Sequence, residues 1–451
     1  MEPILIAVVA TPGLTFLALA LAWLLGATPP ERWMARLTAA VSSAIALGAA
    51  WLGIGMARSG VHAIRTAEVA WFQVGHYHFE LALVVDRLSW PLVMLTTLLV
   101  GIVAVFSVRY LHRDRGFFRF FLLLHLFSFG ALVVFTAASF DLLLGGWELV
   151  GITSVLLIAF FDERREPVRN ATRVFAFYRI ADVGLLLAIF LMHSFAGTAS
   201  FRQLFPGEWP LHAPQMGAWQ AGLVATALLI AAAGKSAQVP FSGWLPRAME
   251  GPTPSSAIFY GAISVHLGAY LLLRARPLFE AAPVAAALVV ATGAITALLA
   301  TLVHRASIDA KTSLAYAGMA QLGIVFVEIG LGLPQLAVAH ICGHAAVRTL
   351  QFLRAPSMLH DYHRVHAAAG GQLGRTGIHY ERLLPESARV WLYRAAIERG
   401  YYDAIVERLV TSPVMRLARW CESFEPGIDG RPPTPEALPV AAQAAGERAQ
   451  A

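Results

Sequence analysis

Apolar runs recur along most of the chain, and no other feature limits its fold as strongly. About eleven of them are long enough to span a bilayer: residues 4–25, 37–57, 88–108, 118–137, 139–161, 172–194, 219–240, 255–273, 283–303, 310–332 and 335–353. A hydrocarbon core takes roughly 20 residues of helix to cross. In lipid each spanning segment must satisfy its own backbone, so these runs are helices and not open strands. Composition agrees: 14% of the residues are charged, against about 25% in soluble domains. The expected fold is an all-α polytopic membrane protein of about 11 transmembrane helices. No basic residue precedes run 4–25, so it reads as a first span and not a cleaved leader. Spans four and five are separated only by the turn Ser139–Asp141.

The loops alternate in charge. Arg109, Arg113, Arg115 and Arg119 fill one loop, and Arg164, Arg165, Arg169 and Arg173 another. The loops near 138–141, 195–218 and 332–334 are nearly free of Lys and Arg. The positive-inside rule then puts the N-terminus outside and the C-terminus in the cytoplasm of a bacterial inner membrane. The net charge of +6 is accounted for by these loops and the tail, so no nucleic-acid partner is expected. Cys342 and Cys421 are too few for a disulfide framework. From Arg354 the chain turns polar. Residues 387–421 carry apolar positions at roughly helical spacing, which predicts one or two amphipathic helices on the cytoplasmic membrane surface or against a partner. The expected division is 1–84 (N-terminal transmembrane helices), 85–355 (core), 356–425 (amphipathic cytoplasmic tail) and 426–451 (disordered C-terminus).

Lys235 closes an apolar run, Ala218–Ala233, and Pro240 follows it. A lysine at membrane depth is costly and marks a functional site. Proline breaks the helix just after it, and a broken helix survives at that depth only inside protein or beside a wet cavity. Glu148 lies within span five, either as a carboxylate near a helix mouth or as a protonatable site. Arg179 and Asp182 stand three residues apart on one face of span six. They form a local ion pair, or Asp182 biases a lysine on another helix. His266 sits mid-span in the next helix, as a hydrogen-bonded core residue or a relay. Lys311 opens span ten, either snorkelling to the interface or acting within the membrane. His340, His344 and Arg348 repeat every four residues, so one face of span eleven carries all three. The HxxxH spacing has no acidic residue between its histidines and no evident third ligand, so no metal is expected. His125 stands alone and reads as core. No phosphate loop, cysteine cluster, haem motif or nucleophile elbow is present, so no cofactor is expected and the chain reads as non-catalytic.

Five stretches carry a family resemblance: GGWELVGITSVLLIAFF (145–161), RIAD (179–182), GKSAQVPFSGWLPRAMEGPTP (234–254), DAKTSLAYAGMAQLG (309–323) and HICGHAAVRTLQFL (340–353). They resemble the antiporter-like subunits of respiratory complex I and the Mrp antiporters, over roughly 85–355. The resemblance implies a proton-translocating core of broken helices. It assigns Glu148, Asp182, Lys235, Lys311, His340 and His344 to the proton path. Tyr260 stands where the family has histidine, and Arg348 where it tends to have lysine. Arginine stays charged, so it can bias a path but not relay a proton. The chain turns hydrophilic where the family's longest members continue, so the antiporter-like core is expected to be truncated at its C-terminal end.

FYGAISVHLGAYLLLR and RTLQFLRAPSMLHD are similar in particular to one branch, the membrane subunit (DabB type) of the DAB inorganic-carbon accumulation complex. That resemblance implies a large zinc-binding partner like a carbonic anhydrase (DabA type) on the cytoplasmic side. Proton or Na+ influx through this chain would drive CO2 hydration by that partner. The alternatives are an Mrp-type cation/proton antiporter subunit, a complex I subunit, or a non-conducting anchor. In the conducting readings, protons pass from outside by Glu148 and Lys235, then by His266, Lys311, His340 and His344 toward the cytoplasm.

Overall fold

The computed structural model describes residues 1–75, 77–210, 214–357, 367–368, 384–406, 408 and 412–422. The long helices are α1 (Glu2–Leu24), α2 (Glu31–Ser59), α3 (Ser89–Tyr110), α4 (Phe117–Thr136), α5 (Phe140–Ile158) and α6 (Arg165–Ala196). After a short α7 (Phe201–Leu204) come α8 (Ala218–Lys235) and a one-turn α9 (Trp244–Arg247). The next span runs Thr253–Arg274, beginning as α10 (Thr253–Ser255) and ending as α11 (Leu267–Arg274). Then follow α12 (Arg276–Ala281), α13 (Pro283–Ala306), α14 (Ala310–Gly330) and α15 (Pro334–Arg354). Among the described residues ten helices are long and apolar enough to cross a membrane, with Thr253–Arg274 counted as one. The eleventh expected span is α15, a helix of 21 residues. His340, His344 and Arg348 on one face keep it below that apolarity.

The apolar runs gave no sign of the four strands between α2 and α3. Strands β1 (Ala63–Arg65) and β4 (Val84–Asp86) pair antiparallel, as do β2 (Val69–Val74) and β3 (Tyr77–Leu81). They lie outside the spans, on the face that holds the N-terminus: Ala67 N donates to Glu2 Oε1 at 2.7 Å. On that face Arg274, at the end of α11, grips Asp86 through two hydrogen bonds (2.5 and 3.2 Å) and lies over the rings of Phe201 and Tyr270. Burial opposes the Asp86 carboxylate, but Arg274 and then Ser89 outweigh it, and its pKa falls below the ordinary aspartate value. The opposite face carries the arginine loops, and there Arg113 N donates to Glu31 at 2.9 Å.

Lipid offers no hydrophobic drive between helices, so close packing must hold them together. Glycine supplies it at three pairs. A Cβ on Gly146 of α5 would lie 2.6 Å from Gly130 O of α4, and one on Gly184 of α6 the same distance from Ala227 O of α8. On α13 and α14, Gly293 and Gly323 face each other's carbonyls; a Cβ on Gly323 would lie 2.5 Å from Gly293 O.

Two compact units divide the chain, Met1–Gly400 and Tyr401–Ala451. In the first, α16 (Glu386–Ile397) packs on α13, and its Ala395 and Ala396 are buried. In the second, helix Ser412–Glu422 exposes Met415, Leu417 and Trp420 beside Arg416 and Arg419. Within the stretch read as amphipathic, 387–421, the described residues include the helices Glu386–Ile397 and Ser412–Glu422. The expected disordered segment 426–451 lies outside the described residues.

Candidate functional site

The helix break stands where Pro240 predicts it. Helix α8 ends at Lys235, and regular helix resumes only at Trp244. The freed carbonyls are met from neighbouring segments. Trp244 Nε1 donates to Gly234 O (2.8 Å), and Gln238 Nε2 to Ser236 O (2.9 Å). Ser236 Oγ in turn donates to Val265 O (2.6 Å) of the next span. A second irregularity was not foreseen. Residues Ser256–Ala262 form a π-helical turn, closed by Ile263 N donating to Ile258 O at 2.8 Å, and Ser264–His266 a 3-10 turn. π turns concentrate at functional sites. This span is buried throughout its most apolar stretch, the setting in which irregular backbone is tolerated at membrane depth. Buried around the break, Gln238 Oε1 and Ser256 Oγ have no hydrogen-bond partner among the described residues.

Lys235 is 1% exposed. Its Nζ donates to Trp147 O at 3.0 Å and lies over the rings of Trp147 (4.8 Å) and Tyr178 (4.7 Å). Beside it, Arg179 bridges two carboxylates. It pairs closely with Glu148 and at 2.7 Å with Asp182, whose other oxygen accepts from Trp147 Nε1 at 2.6 Å. The local pair of Arg179 and Asp182 forms, and through Trp147 it adjoins the lysine. Two positive and two negative groups meet here and balance. Lys235 itself faces a carbonyl and two rings, with no carboxylate in ion-pair range among the described residues. Glu148 and Arg179 are about a third exposed, at 34% and 39% of their side chains.

A line of hydroxyls leads away from this hub. Tyr178 and Ser154 hydroxyls lie 3.2 Å apart, and Ser154 and Tyr260 hydroxyls 2.9 Å apart. Tyr260 sits on the π turn. Gly261 beside it lets α15 approach, since a Cβ there would meet Phe352 at 2.9 Å and Arg348 O at 3.4 Å.

That approach brings the histidines together. His266 Nε2 and His344 Nδ1 share a hydrogen bond of 2.9 Å, and Arg348 Nε donates to His344 Nε2 at 3.4 Å. His266 Nδ1 is bound to Ala262 O, an acceptor only. A neutral imidazole has one N–H, so His266 donates to Ala262 O and accepts from His344 Nδ1–H. His344 in turn accepts from Arg348. The ladder is complete with both rings neutral.

His340 stands one turn away, its ring 6.3 Å from that of His344. Its nitrogens contact Glu328 Oε1 (2.9 Å) and Gln321 Oε1 (3.1 Å). Lys311 is apart from both groups, at the arginine-rich face. Its Nζ donates to Met249 O and Gly251 O, each at 2.7 Å, and so clamps α14 to the broken segment. His125 is buried with Thr38 Oγ1 at 3.1 Å.

Helix α15 starts on the N-terminal face, so His340 lies nearer that face than His344 does, and the row His266, His344, His340 runs away from the arginine-rich face. Lys311 lies at the opposite end. Sequence reading missed Trp147, Ser154, Tyr178, Gln321 and Glu328. Glu328 carried a usable signal, being an acid inside an apolar run. Among the described residues no three His, Cys, Asp or Glu side chains converge as a metal site.

Residues 137–372 match the family described as "NADH:quinone oxidoreductase/Mrp antiporter, TM", and residues 71–121 that described as "NADH-Ubiquinone oxidoreductase (complex I), chain 5 N-terminus". NADH-quinone oxidoreductase subunit L of Mycobacterium tuberculosis is 34% identical over 72% of this chain and 51% of its own length. Its namesake in Campylobacter jejuni is 36% identical over 64% of this chain and 47% of its own. The chain thus spans about half the length of these relatives. Among solved structures, the Mrp complex from Dietzia sp. DQ12-45-1b gives a TM-score of 0.64 at 27% identity, covering 76% of this chain and 37% of that one. The archaeal membrane-bound sulfane sulfur reductase shares the fold at TM-score 0.63 and 16% identity, covering 77% of this chain and 70% of that one.

Proposed function

The chain belongs to the membrane-subunit family shared by NADH:quinone oxidoreductases and Mrp antiporters, and from that premise we propose that it is a proton-conducting, energy-coupling subunit. The observation that carries this reading is Lys235: a fully buried lysine at a helix break, beside the Glu148–Arg179–Asp182 cluster. Such a group is expensive unless it works. The hydroxyl line and the unpartnered polar atoms around the break support a hydrated route from the hub. With the arginine-rich face in the cytoplasm, protons would move inward down the membrane potential. Each is worth about 2.3 kcal/mol per 100 mV.

The coupled reaction is inorganic-carbon uptake, in which influx of H+ or Na+ drives CO2 hydration by a large zinc-binding, carbonic-anhydrase-like partner on the cytoplasmic side. The likeness of FYGAISVHLGAYLLLR and RTLQFLRAPSMLHD to that branch supports it. The second reading is an Mrp-type antiporter subunit, favoured by the likeness to the Dietzia Mrp complex. Co-purification with the tagged chain, metal analysis of what comes with it, and inorganic-carbon uptake with and without a protonophore separate the two. A large zinc protein, with uptake abolished by protonophore, is expected. Sodium-dependent pH changes with unaltered carbon uptake would instead establish the antiporter.

A further inference from the structure

The region that the proposed mechanism leaves unused is the contact of His340 with Glu328 and Gln321. Glu328 lies two residues before the end of α14, about 3 Å of helix rise from the N-terminal face. His340 lies six residues into α15, about 9 Å from the same face. Side chains tilt toward their helix's N-terminus. Glu328 on α14 therefore leans inward and His340 on α15 leans outward, and they meet at 2.9 Å. Glu328 is buried, and its Oε2 has no hydrogen-bond partner among the described residues.

Proton counting sets this trio apart from the ladder behind it. In the amide orientation the structure has, Gln321 presents its carbonyl oxygen to His340 Nε2, so that nitrogen donates. His340 Nδ1 faces a carboxyl oxygen. A neutral imidazole has one N–H, so a second proton must lie between His340 Nδ1 and Glu328. It sits on the ring, as imidazolium and carboxylate, or on the acid, as neutral imidazole and carboxylic acid. The His266–His344 ladder, by contrast, is satisfied with no extra proton. The rings of His340 and His344 lie 6.3 Å apart.

We propose that Glu328, with His340, is a proton-loading site at the N-terminal-face end of the histidine ladder. Glu328 takes a proton from that face at Oε2, the pair holds it, and His340 passes it inward toward His344. This rests on the proton-conducting reading above. It adds Glu328, a residue that the reading does not contain.

The test uses membrane vesicles, right-side-out and inverted, from cells expressing the full chain with its native partners. A trapped pH dye reports proton flux. Glu328→Gln keeps the shape and hydrogen-bonding reach but holds no exchangeable acid proton. It is expected to lower flux on the order of tenfold or more, as loss of a proton-transfer group does, while Glu328→Asp keeps part of it. Lys235→Ala runs in parallel. Loss of flux in Lys235→Ala with full flux in Glu328→Gln would overturn this inference and leave the proposed function standing. Full flux in Lys235→Ala would overturn the proposed function itself. Direction is read separately, without flux. With Cys342 and Cys421 replaced by serine, Glu328→Cys should react with a membrane-impermeant thiol reagent added to the N-terminal face. Labelling only from the arginine-rich face, or from neither, would overturn the inference.

Discussion

Around Lys235 four full charges meet and balance, whereas His266 and His344 are neutral rings whose N–H bonds are both used. The hub holds Lys235, Arg179, Glu148 and Asp182 in place with a tryptophan that donates to one carboxylate and offers its carbonyl to the lysine. The ladder needs no counter-ion, because each imidazole gives one hydrogen bond and takes another. The contrast teaches where a proton can be stored and where it only passes. Moving a proton at the hub breaks a charge balance and is felt by all four groups. Moving one along the ladder reorders hydrogen bonds and leaves no net charge behind. Storage therefore belongs at the hub and at Glu328, with transfer between.

Removing one member of the hub should do most harm. Asp182→Ala strips Arg179 and Trp147 Nε1 of a partner inside the protein, and breaking such a pair costs about 3–5 kcal/mol. Thermal unfolding of the purified protein should show a large loss, and vesicle flux should vanish. A comparable loss without the functional effect is expected at Arg274→Ala, which breaks a buried pair belonging to neither region. If that variant also abolishes flux in the folded fraction, the division between hub, ladder and scaffold is wrong. The same pair gives a pH signature. Because the folded pKa of Asp86 is depressed, its contribution is full above the ordinary aspartate range and is lost as pH falls through the lower folded value. Arg274→Ala should flatten the acid limb of stability against pH.

The ladder should tolerate more. His344→Asn leaves single hydrogen bonds unmade, a cost of about 1–3 kcal/mol, yet it interrupts the wire. Stability should fall modestly and flux strongly, a split that unfolding and dye assays read on one preparation. Least affected should be Asp309→Ala at the start of α14, where the side chain accepts from Thr312 N at 2.7 Å. Losing such a cap costs about 1 kcal/mol, and Lys311 keeps its two carbonyls.

Particular residues show how much of this was legible in the sequence. The spans follow from run length alone, and the break from Pro240 after a lysine. The HxxxHxxxR spacing gave the shared face of α15, but helical phase says nothing of which neighbour that face meets. His266 and Glu328, on two different helices, could be assigned to it only once packing was known. Ser154 and Tyr178 gave no signal, because a hydroxyl in an apolar helix looks the same whether it bonds its own backbone or another hydroxyl. The order of the histidine row was not legible for a related reason: charge in loops orders the faces, but not how far each side chain leans toward one of them. The strands at 63–86 lie in the stretch between two spans that an apolar-run search passes over.

The central claim is that Lys235 must give up and regain its proton for the protein to work. Lys235→Arg keeps the charge that balances Glu148 and Asp182, and guanidinium does not release its proton. In vesicles carrying the full complex, the account predicts an assembled, stable variant with no proton flux above background. Flux at the unmodified rate would contradict it, and would leave Lys235 as a fixed charge.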